Sequence, residues 1–448
     1  MDNKKDKYER RYKAQVTRKR LKVNGIVEKY YFCTLPPFRQ GVNQWNLVKT
    51  EVIMKKILIC ILVLCGLSAG AFAAKLEIGK NGEPILDGKP KILIAVWVEP
   101  VPYMDYFIDL GIEVFWTGGN PGGAGSDKLT TVDYVNEVKK RNAYAMIGIE
   151  EAQKKGEFEE LKKNPALIAW SLPDEVDCAV VKDGKITKNP KYTPEETKKQ
   201  YDDARKADPT RPTILNFGSE FAFGKPPHRM AKYKEWVKNC DILSVTNYPF
   251  DYVGPDSGYL ITKGISQMTK ALDGRKAPMC THIYVGQNDY PASDAPKRAA
   301  LPYELRAEVW MAIINGGTMI SYYPHKHIPD YKQKNIKPPI EAEMKRINKN
   351  IKALNDVIFS ADYPGKVEME EKEGSLFGVM AREKDGTGYI FVVNEKNKDM
   401  GKVKVKVDGL AAGKEVEVYD EGRKITSVAG GFQDEFNKYD THIYVIKK

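Results

Sequence analysis

The sequence predicts a (β/α)₈ barrel of the TIM type followed by a small antiparallel all-β sandwich domain. Two observations carry that expectation. Eight short, nearly continuous apolar runs alternate with amphipathic stretches over roughly 280 residues, the count and length of a (β/α)₈ barrel. Beyond residue 365 the pattern changes to alternating apolar and polar residues separated by turn signals, which is how antiparallel strands read. The 448 residues, 42% hydrophobic and 29% charged, supply enough apolar material for two cores.

The eight runs are Lys91–Glu99, Ile112–Gly118, Ala143–Glu150, Ala166–Glu175, Pro212–Phe217, Asp241–Tyr248, Ala277–Val285 and Thr318–Tyr323. Such continuous runs suit parallel strands buried on both faces. Helical patterns lie between them at Thr131–Asn142, Thr193–Ala207 and Pro302–Asn315. The second opens with Thr193, Pro194 and Glu196: an N-cap, a proline tolerated in the first turn, and a glutamate placed to close a capping box. Asn164-Pro165 and Asp208-Pro209 stop the preceding helices. A doubly wound sheet is the rival, but it usually stops at about five or six strands. After a helix at Ile340–Phe359, period-two runs at Leu376–Arg382, Gly388–Asn394, Lys402–Val407, Glu415–Tyr419 and His442–Ile446 mark a domain of about seven or eight strands. The barrel is assigned to residues 84–362 and the sandwich to residues 365–448.

The N-terminus reads differently. Residues 54–73 begin Met54-Lys55-Lys56, continue with the apolar run Ile57–Leu67 and end in the small-residue box Ala71-Phe72-Ala73. This is the order of a secretory signal peptide, and a run of this length is short for a span of roughly 20 residues. Cys60 and Cys65 lie inside the apolar run without the preceding small residue of a lipid-anchoring signal. The chain is therefore expected to be secreted or periplasmic, cleaved after Ala73, with no membrane span in the mature protein. Because the signal starts at Met54, residues 1–53 are expected to be a non-native or disordered extension that does not join the fold. They carry 13 Lys+Arg against 5 Asp+Glu, and with Lys55 and Lys56 they account for most of the net charge of +11. The remaining 56 basic and 55 acidic residues leave a near-neutral body, which gives no support to nucleic-acid binding. Cys178, Cys240 and Cys280 remain after cleavage, too few for a disulfide framework.

Barrel enzymes place their sites at the C-terminal ends of the strands. Those ends carry Trp97 and Glu99, Trp116, Glu150 and Glu151, Asp174 and Glu175, Asn216 and Glu220, Asn247, Tyr248 and Asp251, Tyr284, Gln287 and Asp289, then Tyr322, Tyr323 and His325. His282 alternates with Tyr284 and is a further candidate for the mouth. Trp170 is a candidate from the fourth strand. Carboxylates, amides and aromatics converging on one rim suit a sugar: aromatic faces stack on the pyranose ring, and carboxylates and amides hold its hydroxyls. His325 and His327 have no third nearby ligand, so no metal is expected. Gly118–Gly125 is glycine-rich, but no Gly-Lys-Ser/Thr follows it, and it reads as a loop.

The segment Ala169-Trp170-Ser171-Leu172-Pro173-Asp174-Glu175 resembles the fourth-strand motif of the clan A glycoside hydrolases, particularly their β-galactosidase-like members. There a tryptophan strand runs into Asn-Glu or Asp-Glu. Thr246-Asn247-Tyr248-Pro249 resembles the family's sixth strand end. Arg306–Tyr323 resembles its last helix and eighth strand, and Phe432–Tyr444 the final strands of its β-sandwich. The resemblance spans about residues 84–448 as architecture. It implies a glycoside hydrolase acting on a β-linked oligo- or polysaccharide, with Glu175 as general acid/base and no cofactor; the signal segment makes it a secreted one, and the adjacent Asp174 is expected to raise the proton affinity of Glu175. The substrate-binding candidates, read from the strand ends, are Trp97, Glu99, Trp116, Glu150, Asn216, Asn247, Tyr248, His282, Tyr284, Tyr322 and His325. The chain departs from the family at strand seven, where the nucleophile glutamate is missing from Thr281–Asp289. Three alternatives stand: Asp289 replaces it, a base such as Glu150 or Asp251 serves an inverting mechanism, or the barrel is catalytically inactive and binds glycans or serves in the cell envelope.

Overall fold

The computed structural model describes residues 75–117, 129–223, 230–291 and 297–447, together with two strands at Val16–Val23 and Ile26–Cys33. The signal segment 54–73 and the glycine-rich loop 118–125 lie outside the described residues. Contacts divide the chain into two units, residues 1–71 and 72–448. In the first, the two strands pair antiparallel, with Val16 opposite Cys33 and Val23 opposite Ile26.

In the second unit, eight parallel strands close a barrel: β1 Leu93–Trp97, β2 Val114–Thr117, β3 Tyr144–Gly148, β4 Leu167–Ser171, β5 Thr213–Phe217, β6 Ile242–Thr246, β7 Met279–Tyr284 and β8 Met319–Tyr323. Each falls inside one of the eight apolar runs. Side chains alternate between the interior and the helix layer. The lower interior is apolar, with Leu93, Val114, Ile168, Ile214, Ile242, Cys280 and Met319 in one cluster. Leu76 and Leu86, from a small sheet of Leu76–Ile78, Pro84–Leu86 and Lys89–Pro90, join that cluster and stop the barrel from below. The outward-facing residues pack on the helices. Trp170 is fully buried there, stacked on Phe158, with its indole N–H donating to Asp208 at 2.9 Å.

The helices form where sequence chemistry starts and stops them. The helix Pro194–Ala207 has the expected reciprocal cap: Thr193 Oγ1 accepts from the Glu196 N–H, and the Glu196 carboxylate accepts from the Thr193 N–H at 2.8 Å. Pro302–Ile314 and Pro338–Ile358 each start with proline in the first turn.

The C-terminal strands form two antiparallel sheets. One contains Ala361–Asp362, Phe377–Lys384, Thr387–Asn394, Thr441–Lys447, Glu415–Val418 and Arg423–Thr426; the other contains Val367–Met369, Gly401–Val407 and Gly431–Phe436. Their inner faces share a core of Val392, Val403, Val405, Phe432 and Tyr444. The outer face of the larger sheet packs on the barrel helix Pro302–Ile314, where Trp310 meets Phe391 with ring centroids 5.4 Å apart. Cys178, Cys240 and Cys280 are free thiols. Among the described residues no helix is long and apolar enough to cross a membrane.

Candidate active site

A cavity of about 220 Å³ opens at the C-terminal ends of the barrel strands. Strand alternation decides which side chains reach it. Trp97 closes β1, Asn216 lies on β5, Thr246 closes β6, His282 and Tyr284 lie on β7, and Tyr323 closes β8; all face inward and line the cavity. The loops after the strands add Asp174 and Glu175, then Tyr248, Asp251 and Tyr252, and His327.

Aromatic rings form the wall. Tyr248 stacks on Tyr323 with centroids 5.7 Å apart and planes 6° from parallel, and Tyr284 packs against both. The Tyr323 hydroxyl and His327 Nε2 are 3.0 Å apart. Trp97 stands edge-on to His282 at 5.2 Å. Burial drives the His282 pKa down to about 3, so this ring is neutral at physiological pH.

Three carboxyl groups enter the cavity. Asp174 accepts from Asn216 Nδ2 at 2.8 Å. Burial, helped by the neighbouring Glu175 charge, pushes the Asp174 pKa up to about 6. Glu175 has a left-handed backbone, φ 46°, a conformation a side chain larger than glycine adopts at a cost. The loop is held in place from both sides. Lys191 Nζ donates to the Asp174 carbonyl at 2.8 Å, and Asp177 accepts from the Gly218 N–H and the Tyr233 hydroxyl at 2.7 and 2.6 Å. Asp251, on the short helix Pro249–Tyr252, accepts from Asn288 Nδ2 at 3.2 Å. Burial raises its pKa against the pull of the hydrogen bonds from Tyr290 and Asn288. Asn216 Oδ1, His282 Nε2 and the Tyr284 hydroxyl are buried on the cavity wall without a hydrogen-bond partner.

Two expected residues sit beside the cavity. Glu99 is fully buried, and burial pushes its pKa up to about 10 against the pull of Lys334. His325 Nε2 lies 3.2 Å from the Glu99 carboxyl, and burial lowers the His325 pKa to about 4. Burial thus works against charge on both partners of this contact.

Other expected residues do not reach the cavity. Trp116 lies inside the barrel beneath it, fully buried against Trp97 and His282, with its indole N–H donating to Ser171 at 3.0 Å. Asn247 and Tyr322 have the outward phase of their strands: Asn247 donates to the Leu260 carbonyl at 2.9 Å and Tyr322 to Asn348 at 2.9 Å. Trp170 faces the helix layer for the same reason. Glu150 lies on the exposed face of the helix Ile149–Lys154 and pairs with Lys154 at 2.6 Å. Asp289 is drawn outward between Lys326 and Lys337, at 2.5 and 3.7 Å, and does not line the cavity. Thr246 and Tyr252 are the lining residues that the sequence did not single out; for Tyr252 a signal was present. Its signal was its place four residues after Tyr248, one helical turn on. Among the described residues, no group of three or more His, Cys, Asp or Glu side chains is placed to hold a metal ion.

No protein-family model and no curated protein sequence matches the chain. Solved structures do match it in fold. A glycoside hydrolase family 5 protein from Bacteroides vulgatus aligns with a TM-score of 0.53 at 11% identity, over 84% of this chain and 93% of that one. A family 42 β-galactosidase from G. stearothermophilus, in a catalytic-mutant form, aligns at 0.51 and 10% identity, over 80% and 98%. An Anoxybacillus α-amylase aligns at 0.50 and 11% identity, over 78% and 89%. The chain has the fold these glycoside hydrolases share: a (β/α)₈ barrel followed by a β-sandwich.

Proposed function

We propose that the protein is a secreted glycoside hydrolase acting on β-linked glycans, with Glu175 as general acid and Asp251 as the second carboxylate. The observation that carries this reading is the pocket itself: Asp174, Glu175 and Asp251 share one aromatic-walled cavity at the catalytic end of the barrel. Glu175 donates a proton to the glycosidic oxygen as the bond to the leaving sugar breaks. Asp251 takes a proton from the water that attacks the anomeric carbon. The stacked tyrosines hold the ring. Of the three carboxylates weighed for the second role, Asp289 and Glu150 lie outside the cavity and Asp251 lines it.

The end of β7, where clan A enzymes keep a nucleophile, presents Tyr284. Burial holds its hydroxyl pKa far above the ordinary value, so it is a poor nucleophile. An attack by water then inverts the anomeric centre. Proton NMR of a β-glycoside digest should show the α-anomer first, and Asp251→Asn should abolish its release. Release of the β-anomer would overturn the assignment of Asp251 as base.

The Tyr284 substitution also favours a second reading, a barrel that binds glycans without cleaving them. Binding of a glycan that the wild-type protein never hydrolyses would put that reading first. Export rests on the signal-like segment 54–73, and natively expressed protein would then begin near Ala74.

A further inference from the structure

We infer that the sugar this pocket selects carries a primary amine, held as an ammonium ion by the Asp174 carboxylate and the Asn216 carbonyl oxygen. This rests on the reading of the pocket as a glycosidase site and adds the substrate class to it.

Hydrolysis needs two carboxyl groups, and the described residues lining the cavity bring three. Among the described residues that line it, none is a lysine or arginine. Lys191, close by, is engaged on the Asp174 backbone carbonyl, and the carboxylate, which accepts from Asn216 and the Glu175 N–H, has no cation bonded to it. Asn216 sharpens the point. Its amide nitrogen donates to both Asp174 Oδ1 and Thr246 Oγ1, at 2.8 and 3.1 Å, which fixes the orientation of the amide. Its Oδ1 is then a buried acceptor without a partner, on a residue only 3% exposed. A buried acceptor left unpaired is costly, so its partner is to be sought in a ligand.

The seat thus offers acceptors and negative charge. A sugar hydroxyl brings one donor together with lone pairs of its own. An ammonium brings three donors and no acceptor, and it neutralises the carboxylate. At about 220 Å³ the cavity is smaller than a drug-sized pocket and suits one sugar ring.

Titration calorimetry with β-linked glucosamine disaccharide, its N-acetylated form and cellobiose tests the inference. The free amine should bind about ten- to a hundred-fold tighter than either neutral sugar, the worth of one charge-assisted hydrogen bond. High salt should shrink that preference. Asp174→Asn, isosteric and checked for folding by circular dichroism, should remove most of it, read as the ratio of amine to cellobiose affinity in the same variant. Equal binding of the three sugars, or an unchanged preference in Asp174→Asn, overturns the inference. Cleavage measured on the same sugars separates this from the catalytic reading. Glu175-dependent hydrolysis without amine preference sinks only the inference. Amine-selective binding without Glu175-dependent hydrolysis sinks only the catalytic role.

Discussion

The backbone is under strain where the chemistry is proposed. Val98, Glu175 and Gln287, just beyond β1, β4 and β7, all have φ between 46° and 55°. Left-handed conformations of non-glycine residues cost about 1–3 kcal/mol each and persist where the surroundings enforce them, often at functional sites. Asp174 adds an electrostatic cost. Its folded pKa of about 6 lies above the ordinary 3.8, so the folded state holds its proton more tightly than the unfolded chain. That contribution to stability is complete below about pH 3.8 and is lost as the pH rises through 6. Asp177, also pushed up to about 6 by burial, acts in the same direction and is untouched by a change at 174. Asp174→Asn should therefore melt at a higher temperature than wild type above pH 6, with the two curves converging towards pH 4. A melting difference that is the same at every pH would show that the carboxyl does not titrate as described. At this scale the sequence was informative about residue type and less so about direction. Asp174, Glu175 and Tyr248 could be found from their motif, whereas Trp170, Asn247 and Tyr322 look equally suited until the phase of each strand is known.

Elements were the most legible level, because periodicity and end signals are local properties. Each of the eight apolar runs contains a barrel strand, and Thr193 caps its helix as its spacing from Glu196 implied. Phase was harder to read in runs buried on both faces. There the inward and outward residues are both apolar, and alternation leaves no contrast in hydrophobicity. The missing strand-seven glutamate was legible, but which other acid enters the cavity was not. Asp251 and Asp289 are both acids beyond a strand end, and only the pairing of Asp289 with Lys326 and Lys337 separates them. Those lysines come from the loop after β8, far along the chain. The insertion after β4 carries an antiparallel hairpin, Val180–Lys182 with Lys185–Lys188, whose short strands are too polar to stand out.

At the scale of the molecule, barrel and sandwich share one core. Trp310 is almost fully buried between Phe391 and the barrel, and Met380, Val393, Tyr439 and Ile443 of the sandwich belong to the barrel's main apolar cluster. The Tyr439 hydroxyl donates to the Pro255 carbonyl at 2.6 Å and accepts from the Gly258 N–H at 3.2 Å. A Cβ at Gly258 would come within 2.6 Å of the Tyr439 ring, so glycine is required for this approach. Trp310→Ala should cost about 3–5 kcal/mol, the usual range for emptying a buried tryptophan site. Calorimetry should show both domains melting together at a lower temperature; a barrel transition left at the wild-type temperature would mean that the interface does not couple them. No residue of the sandwich lines the described cavity, so the proposed chemistry draws on barrel residues. The central claim, that Glu175 is the general acid, is tested most directly by Glu175→Gln kinetics on two substrates of one sugar. The variant keeps the side-chain shape and removes the transferable proton. Hydrolysis of a glycoside with a poor leaving group should fall by about 10²–10⁴-fold, while an activated aryl glycoside, which needs less protonation, loses much less. Equal rates for variant and wild type on the poor leaving group would contradict the account.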